Sequence, residues 1–234
     1  MQKRIVRKLD LERFLSQIEP HPSPDPSLEQ YTISTDVAAT MLHIAAYVNE
    51  DIAGKTVLDL GCGTGRLALG AAFLGAKQVV GLDIDKVAIG VAVKNSLKTG
   101  LRKRVQWVAT DLDAICGSFD TVLQNPPFGV QKRGADRKFL EKALKTGRAV
   151  YSLHRNPIAD EAFVKKLKGS KAVAEMVSPS PFLDRFIEEH GGRIRGVYAA
   201  VMRVPRMFDF HTKKRHEFIV DIYVLDGQMK SYDN

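Results

Sequence analysis

Between residues 55 and 155, short apolar runs alternate with amphipathic stretches, and this alternation leaves the chain few folds to adopt. Val57-Leu58-Asp59-Leu60, Gln78-Val79-Val80-Gly81-Leu82 and Val105-Gln106-Trp107-Val108-Ala109 read as strands, as do residues 119–123 and Ala149-Val150-Tyr151-Ser152-Leu153. Residues 66–74, 85–99 and 137–146 read as helices. Strand and helix in regular alternation predict a parallel sheet with helices on both faces. A helix at about 159–168, a strand at 171–177 and a helix at 181–190 follow, the last stopped by Gly191-Gly192. Two longer strands, about 194–204 and 217–225, flank a basic connection and read as an antiparallel hairpin at one sheet edge.

Ahead of this region the pattern changes. Residues 3–18 place Ile5, Leu9, Leu11, Phe14, Leu15 and Ile18 at near-helical spacing, with Lys and Arg opposite, so a short basic helix is expected. Glu19-Pro20-His21-Pro22-Ser23-Pro24-Asp25-Pro26 holds four of the ten prolines and must be extended. Thr35 or Asp36 then suits a helix N-cap, with the helix running to about Asn49. Residues 1–35 therefore read as an N-terminal attachment and residues 36–234 as the main domain.

A chain of 234 residues, 44% hydrophobic and 26% charged, suits one large globular domain. No run approaches the ~18 apolar residues of a membrane helix, and the basic N-terminus lacks the apolar core of a secretory signal. Cys62 and Cys116 are the two cysteines, too few for a disulfide framework or a zinc set, which suits a reducing cytosol. The net charge of +8 favours a polyanionic partner such as nucleic acid.

Asp59-Leu60-Gly61-Cys62-Gly63-Thr64-Gly65 joins the first strand to its helix. Its glycines permit a tight turn and close ligand approach. The spacing differs from the dinucleotide fingerprint, and the acid ahead of it repels phosphate. S-adenosylmethionine, with its sulfonium and amino group, suits the loop better than NAD. Asp83 ends the second strand, where a carboxylate can take both ribose hydroxyls. Asp85 suits the N-cap of the next helix. Asp111, past the third strand, can accept from an adenine amino group, with Ile84 and Leu112 on either side of the ring. Past the fourth strand stands Asn125-Pro126-Pro127-Phe128-Gly129. The Asn125 side-chain carbonyl and a main-chain carbonyl near Pro126 can both accept from one planar amine. The prolines hold those acceptors in place, and Phe128 offers a flat face to the ring. Each acid alone could be a turn residue. Glycine loop, acids and Asn-Pro-Pro-Phe loop nevertheless fall on one edge, the carboxyl ends of the strands, where such sheets bind ligands.

On these residues the chain resembles the class I, Rossmann-like methyltransferases with an Asn-Pro-Pro-aromatic motif. With Leu28-Glu29-Gln30-Tyr31, Val150-Tyr151-Ser152-Leu153-His154 and Phe210-His211-Thr212-Lys213-Lys214 added, it resembles the methyltransferase-like protein 5 family and its archaeal relatives. The resemblance covers most of the chain to about residue 155 and the final hairpin. It implies a seven-stranded, mostly parallel sheet and an adenine-N6 methyltransferase of small-subunit ribosomal RNA using S-adenosylmethionine. It also implies a small zinc-binding activator subunit, and the apolar third strand, Val105–Ala109, is the edge a partner strand could join. By position, Gln30 and Tyr31 would contribute to the cofactor pocket, Gly61, Cys62 and Gly63 would line the methionine moiety, Asp83 would bind ribose and Asp111 adenine. Asn125, Pro126, Pro127 and Phe128 would hold the target base, Asn125 bordering the cofactor as well. Thr32-Ile33 stands where relatives carry Pro and Thr, so Thr32, Ser34 and Thr35 remain alternative cofactor contacts. Residues 169–192, with Ser178-Pro179-Ser180-Pro181, are longer and more proline-rich than in the relatives.

Lys132-Arg133 with Arg137-Lys138, and Lys213-Lys214-Arg215, are the clusters expected to meet RNA phosphates. His154, His211 and His216 lack metal-ligand spacing, so no metal is expected. Methylation of a protein glutamine amide is the chemical alternative, although such enzymes usually carry Tyr in place of Phe128 and an N-terminal helical domain. DNA adenine methylation lacks a target-recognition domain here. A non-catalytic RNA-binding module predicts a broken loop or motif, and both are intact.

Overall fold

The computed structural model of the chain describes residues 5–129, 134–156, 161–169, 174–205 and 215–228. Strands β1 (Thr56–Leu60), β2 (Gln78–Asp83), β3 (Val105–Ala109), β4 (Phe119–Gln124) and β5 (Gly147–Arg155) are parallel. Helices α3 (Arg66–Phe73), α4 (Lys86–Lys98) and α5 (Ala135–Thr146) lie between strands as the alternation predicts. The order β3-β2-β1-β4-β5-β8-β7-β6 reverses direction between β1 and β4. That is the switch point at which a crevice opens beyond the strand ends.

The sheet has eight strands rather than seven. The final pair, β7 (Arg193–Pro205) and β8 (Arg215–Asp226), is antiparallel as expected, but it does not form the edge. β8 pairs with β5, and the two-residue β6 (Glu175–Met176) pairs with β7 outside it. The strand expected over 171–177 shrinks to this bridge among the described residues, because β6 meets β7 only at Glu175 and Met176. Helices α6 (Glu161–Gly169) and α7 (Pro181–Glu189) complete this half. Gly191, at φ 70°, stops α7, and the Gly192 amide bonds back to Ile187, as the glycine pair predicts.

The N-terminal region differs in its bounds. Helix α1 is Lys8–Ser16, shorter than residues 3–18, and its Leu11 and Leu15 are buried in the main core with Ile18. Lys3 and Arg4 lie outside the described residues. Helix α2 (Thr35–His43) continues as a π-helical turn, Ile44–Val48. Its N-cap is Ser34, not Thr35 or Asp36. Ser34 makes no side-chain cap, and Asp36 instead forms an ion pair with Arg203 of β7 at 3.2 Å. A tertiary contact thus overrides the local capping preference. α1 and α2 pack with α3 on one sheet face; α5 and α7 cover the other.

A buried polar chain runs behind the end of β4. Gln124 donates to Ser152 Oγ at 2.8 Å, and Ser152 Oγ lies 2.7 Å from His154 Nε2. Tyr223 packs edge-on against His154 at 5.3 Å. Burial lowers the His154 pKa to about 4, so the ring is neutral and can accept from Ser152. Folded His154 therefore binds its proton less readily than an unfolded one, and its contribution to stability is complete above about pH 6.5. It falls by about 1.4 kcal/mol per pH unit as the pH drops towards 4. Asp59, raised to about 7, contributes with the opposite sign in that window. The measurement is the difference between wild type and His154→Gln in urea unfolding from pH 7.5 to 4.5. The variant should lose less stability on acidification; equal slopes would refute the assignment.

Candidate functional site

At the switch point the structure forms a cleft of about 330 Å³. It gathers Gln30, Tyr31, Asp59, Gly61, Cys62, Gly63, Asp83, Ile84, Asp111, Leu112, Asn125 and Pro127, residues expected from sequence. Thr32 also lines it, whereas Ser34 and Thr35 do not. Pro126 and Phe128 stand just outside the wall. Phe128 meets Phe218 of β8 edge-on, with centroids 5.8 Å apart, which fixes the plane of its ring.

The glycine loop is held from two sides. The Cys62 amide donates to the Leu82 carbonyl at 2.8 Å, carrying the loop across to the end of β2. The Gly63 amide donates to Asp83 Oδ2 at 2.7 Å, and the Asp85 amide to Asp83 Oδ1 at 2.9 Å. Gly65 caps α3 with φ 90°, and a Cβ there would stand 2.4 Å from the Trp107 ring. Only glycine combines that dihedral with that clearance. Asp59 is buried, and its Oδ2 accepts from the Ala68 amide at 2.8 Å. Burial raises its pKa to about 7, the Ala68 bond opposing and nearby Asp83 adding to the rise. Asp83 is raised chiefly by burial too. Asp111 accepts from the Asp113 amide at 2.8 Å.

Asp85 caps α4 as predicted, Oδ1 accepting from Val87 at 2.7 Å and Ala88 at 3.3 Å. It has a further task that the sequence did not reveal. Its Oδ2 accepts from Gln30 Nε2 at 2.7 Å and faces His21 Nε2 at 2.9 Å. The Ser23 amide donates to His21 Nδ1, which leaves Nε2 as the ring nitrogen nearest Asp85. Burial pushes the Asp85 carboxyl up, but the donors from Gln30, Val87 and Ala88 outweigh it and leave the pKa lowered. Asn95 of α4 exchanges two hydrogen bonds with the Glu19 backbone and donates to the Thr64 carbonyl at 3.0 Å. Arg66, its pKa lowered to about 10 by burial, donates to the Ile18 and Ile33 carbonyls. The proline-rich stretch is therefore no loose linker: residues 21–33 form one wall of the cleft.

That wall reaches the Asn-Pro-Pro-Phe loop. Asn125 Nδ2 donates to the Tyr31 carbonyl at 3.0 Å, which sets the side-chain amide's orientation. Asn125 Oδ1 is buried and accepts no hydrogen bond among the described residues. Sequence reasoning missed His21, Glu29, Ala135 and Phe139, which also line the cleft, as does Lys138 of the expected basic cluster. Phe139 followed from the helical expectation for 137–146 but carries no motif.

Of the expected basic residues, Lys132, Arg133, Lys213 and Lys214 lie outside the described residues. Arg215 begins β8.

The sequence profile of the Ribosomal protein L11 methyltransferase (PrmA) family matches residues 36–126, from the start of α2 to the Asn125-Pro126 step. Two relatives match far more of the chain. An uncharacterized protein of Methanocaldococcus jannaschii is 36% identical, covering 95% of this chain and 95% of its own length. The rRNA N(6)-adenosine-methyltransferase Mettl5 of Drosophila melanogaster is 34% identical, covering 91% of this chain and 93% of its own. The crystal structure of a Pyrococcus horikoshii protein, described as a candidate RNA methyltransferase, superimposes with a TM-score of 0.79. It is 33% identical and covers 96% of this chain and 100% of its own. Matched along nearly its full length to the Mettl5 sequence, the chain belongs to the methyltransferase-like protein 5 family.

Proposed function

We propose that this chain transfers the methyl group of S-adenosylmethionine to the exocyclic N6 of an adenosine in small-subunit ribosomal RNA. The observation that carries this reading is the open acceptor at Asn125. Its Nδ2 is committed to Tyr31, while its buried Oδ1 has no partner among the described residues. A buried polar atom left unsatisfied costs about 1–3 kcal/mol, and an N–H of a planar amine satisfies it. The Pro126 carbonyl would take the second hydrogen of that amine.

The cleft fits the cofactor. A Cβ at Gly63 would occupy open space, room for a ligand to approach the backbone. Gly61, Cys62 and Gly63 would line the methionine end, with Gln30 and Tyr31 contributing from the wall. Asp83 would bind ribose and Asp111 the adenine amino group, with Ile84 and Leu112 on the ring. Ile84 is well exposed at the cleft and available for such contact. A cationic amino group beside Asp59 would restore the charged form that burial disfavours. When bound, the cofactor supplies an electrophilic methyl on a sulfonium.

The rest belongs to the chain. The adenine nitrogen is a poor nucleophile because its lone pair is delocalised into the ring. Hydrogen bonds to Asn125 and Pro126 would draw the lone pair out of the plane and aim it at the methyl, so catalysis is mainly positioning. The base must leave its stack first, and Phe128 would replace the lost stacking, worth about 1–3 kcal/mol. An activator subunit adding a strand to β3 belongs to the same reading. β3 is an outer strand of the sheet, and its Val108, with Val87 and Leu97 of α4, exposes apolar surface. Residues 1–35 act in this reading as part of the cofactor pocket. The two free cysteines fit a cytosolic setting.

The test is transfer of labelled methyl to purified small-subunit ribosomal RNA, digested to nucleosides, beside ribosomal protein L11 as acceptor. Label should appear in N6-methyladenosine. Label confined to the protein would establish protein methylation instead, the class of reaction to which the match over residues 36–126 lends weight. Salt-dependent RNA binding without cofactor binding would point to a non-catalytic module.

A further inference from the structure

Helix α7 carries a stripe of rings that starts at the core, where Phe186 packs, and runs out to solvent at Phe182. Leu183 and Ile187 are buried and hold the helix to the sheet. Phe182, Phe186 and His190 recur at a spacing of four and stack along one side. Phe186 and His190 lie 4.0 Å apart at 25°, and Phe182 and Phe186 6.2 Å apart at 27°. Phe182 ends the stack and is 56% exposed. The Arg137 guanidinium stands 5.9 Å from the Phe182 centroid. Among the described residues Arg137 forms no ion pair.

The topology puts this pair beside the cleft. β7 runs in the same direction as β5, because each is antiparallel to β8. Helix α7 leads into the start of β7, so its N-terminus lies at the edge where β5 ends and where Asn125 stands. The Ser180 amide donates to Tyr223 Oη at 2.9 Å, and Tyr223 sits opposite Ser152, the partner of Gln124. Arg137 belongs to the first turn of α5, whose Ala135, Lys138 and Phe139 line the cleft.

We infer that Phe182 and Arg137 form a stacking shelf for an unpaired nucleobase flanking the nucleotide that enters the cleft. This rests on the proposed action on RNA and adds a second subsite to it. A base laid on Phe182 extends a stack already three rings deep, so little ordering is needed on the protein side. Arg137 supplies a cation for the adjoining phosphate and a second flat surface for the base. The exposed end of the stack is a ring beside a guanidinium that forms no ion pair among the described residues, on a chain of net charge +8, which suits a base and its phosphate. The acids at the far end of α7, Glu188 and Glu189, lie away from the shelf.

The experiment uses the full chain with Phe182→Ala and Phe182→Trp. Steady-state methylation, cofactor binding and anisotropy of a labelled single-stranded oligoribonucleotide are measured for each. Phe182→Ala should raise the KM for RNA and weaken oligonucleotide binding about tenfold, with the loss falling on KM rather than kcat. Phe182→Trp should keep near wild-type binding, and its emission, read against a background of Trp107, should be quenched by RNA. Unchanged RNA affinity in Phe182→Ala, or indole emission indifferent to RNA, overturns the shelf. So does a change of oligomeric state in Phe182→Ala, which would make the ring a contact between copies. Wild-type protein that binds RNA through Phe182 but transfers no methyl to it would overturn the proposed reaction and leave the shelf standing.

Discussion

Asn125→Ala lowers methyl transfer by about a hundredfold or more, while cofactor affinity changes far less. The magnitude follows from what the side chain does. Its amide is oriented by the Tyr31 carbonyl at 3.0 Å, and its Oδ1 is the open acceptor. Losing one preorganised polar contact at a reacting centre, or letting the substrate shift by about 1 Å, costs two orders of magnitude or more. Asn125→Asp sharpens the test. The carboxylate retains an acceptor for the amine, but its second oxygen faces the Tyr31 carbonyl, acceptor against acceptor. It should therefore lose activity too, despite a nearly identical shape. Single-turnover methylation of ribosomal RNA is the measurement, and an alanine variant with wild-type kcat would remove Asn125 from the mechanism.

Asp83→Ala should weaken binding of S-adenosylmethionine by about ten- to a hundredfold, read by calorimetry. A hydrogen bond to a charged group is worth roughly 1.5–3 kcal/mol, and 1.4 kcal/mol is tenfold in affinity. Asp83 also accepts from the Gly63 and Asp85 amides, so its loss removes one of the two ties between the glycine loop and the end of β2 and leaves two donors unpaired. The effect should therefore exceed that of Asp111→Ala, whose carboxylate restrains only the short turn containing Asp113. Equal losses in the two variants would show that Asp83 serves the ligand alone and does not hold the loop.

The parts of this molecule legible in the sequence are those governed by local pattern. Continuous apolar runs marked β1 to β5, and Gly61, Asp83, Asp111 and Asn125 at or just past the ends of β1 to β4 marked the cleft edge, because parallel topology brings those ends together. Asp85 was readable as a cap because its partners are two and three residues away. Its bond to Gln30 and its approach to His21 were not, since they depend on where the proline-rich segment meets the start of α4. Ser34, Thr35 and Asp36 are all good capping residues, and only the distant Arg203 takes Asp36 out of that role. Ser152 and His154 did carry a signal. Two polar residues at alternate positions of an apolar strand share one face, and beside Gln124 they had to find each other.

The wall formed by residues 21–33 ties ligand occupancy to the ordering of the N-terminal segment. Asp85 accepts from Gln30 and Arg66 donates to the Ile33 carbonyl, Asn95 fastens Glu19 just ahead of the wall, and the wall's prolines make it stiff. A molecule touching both the wall and the glycine loop bridges two parts of the protein that meet through these polar contacts and through the buried Ile18 and Ile33. Whatever free energy the docked segment lends to the molecule, the molecule returns to the segment in equal measure. Filling the cleft and fastening residues 21–33 are thus two descriptions of one equilibrium.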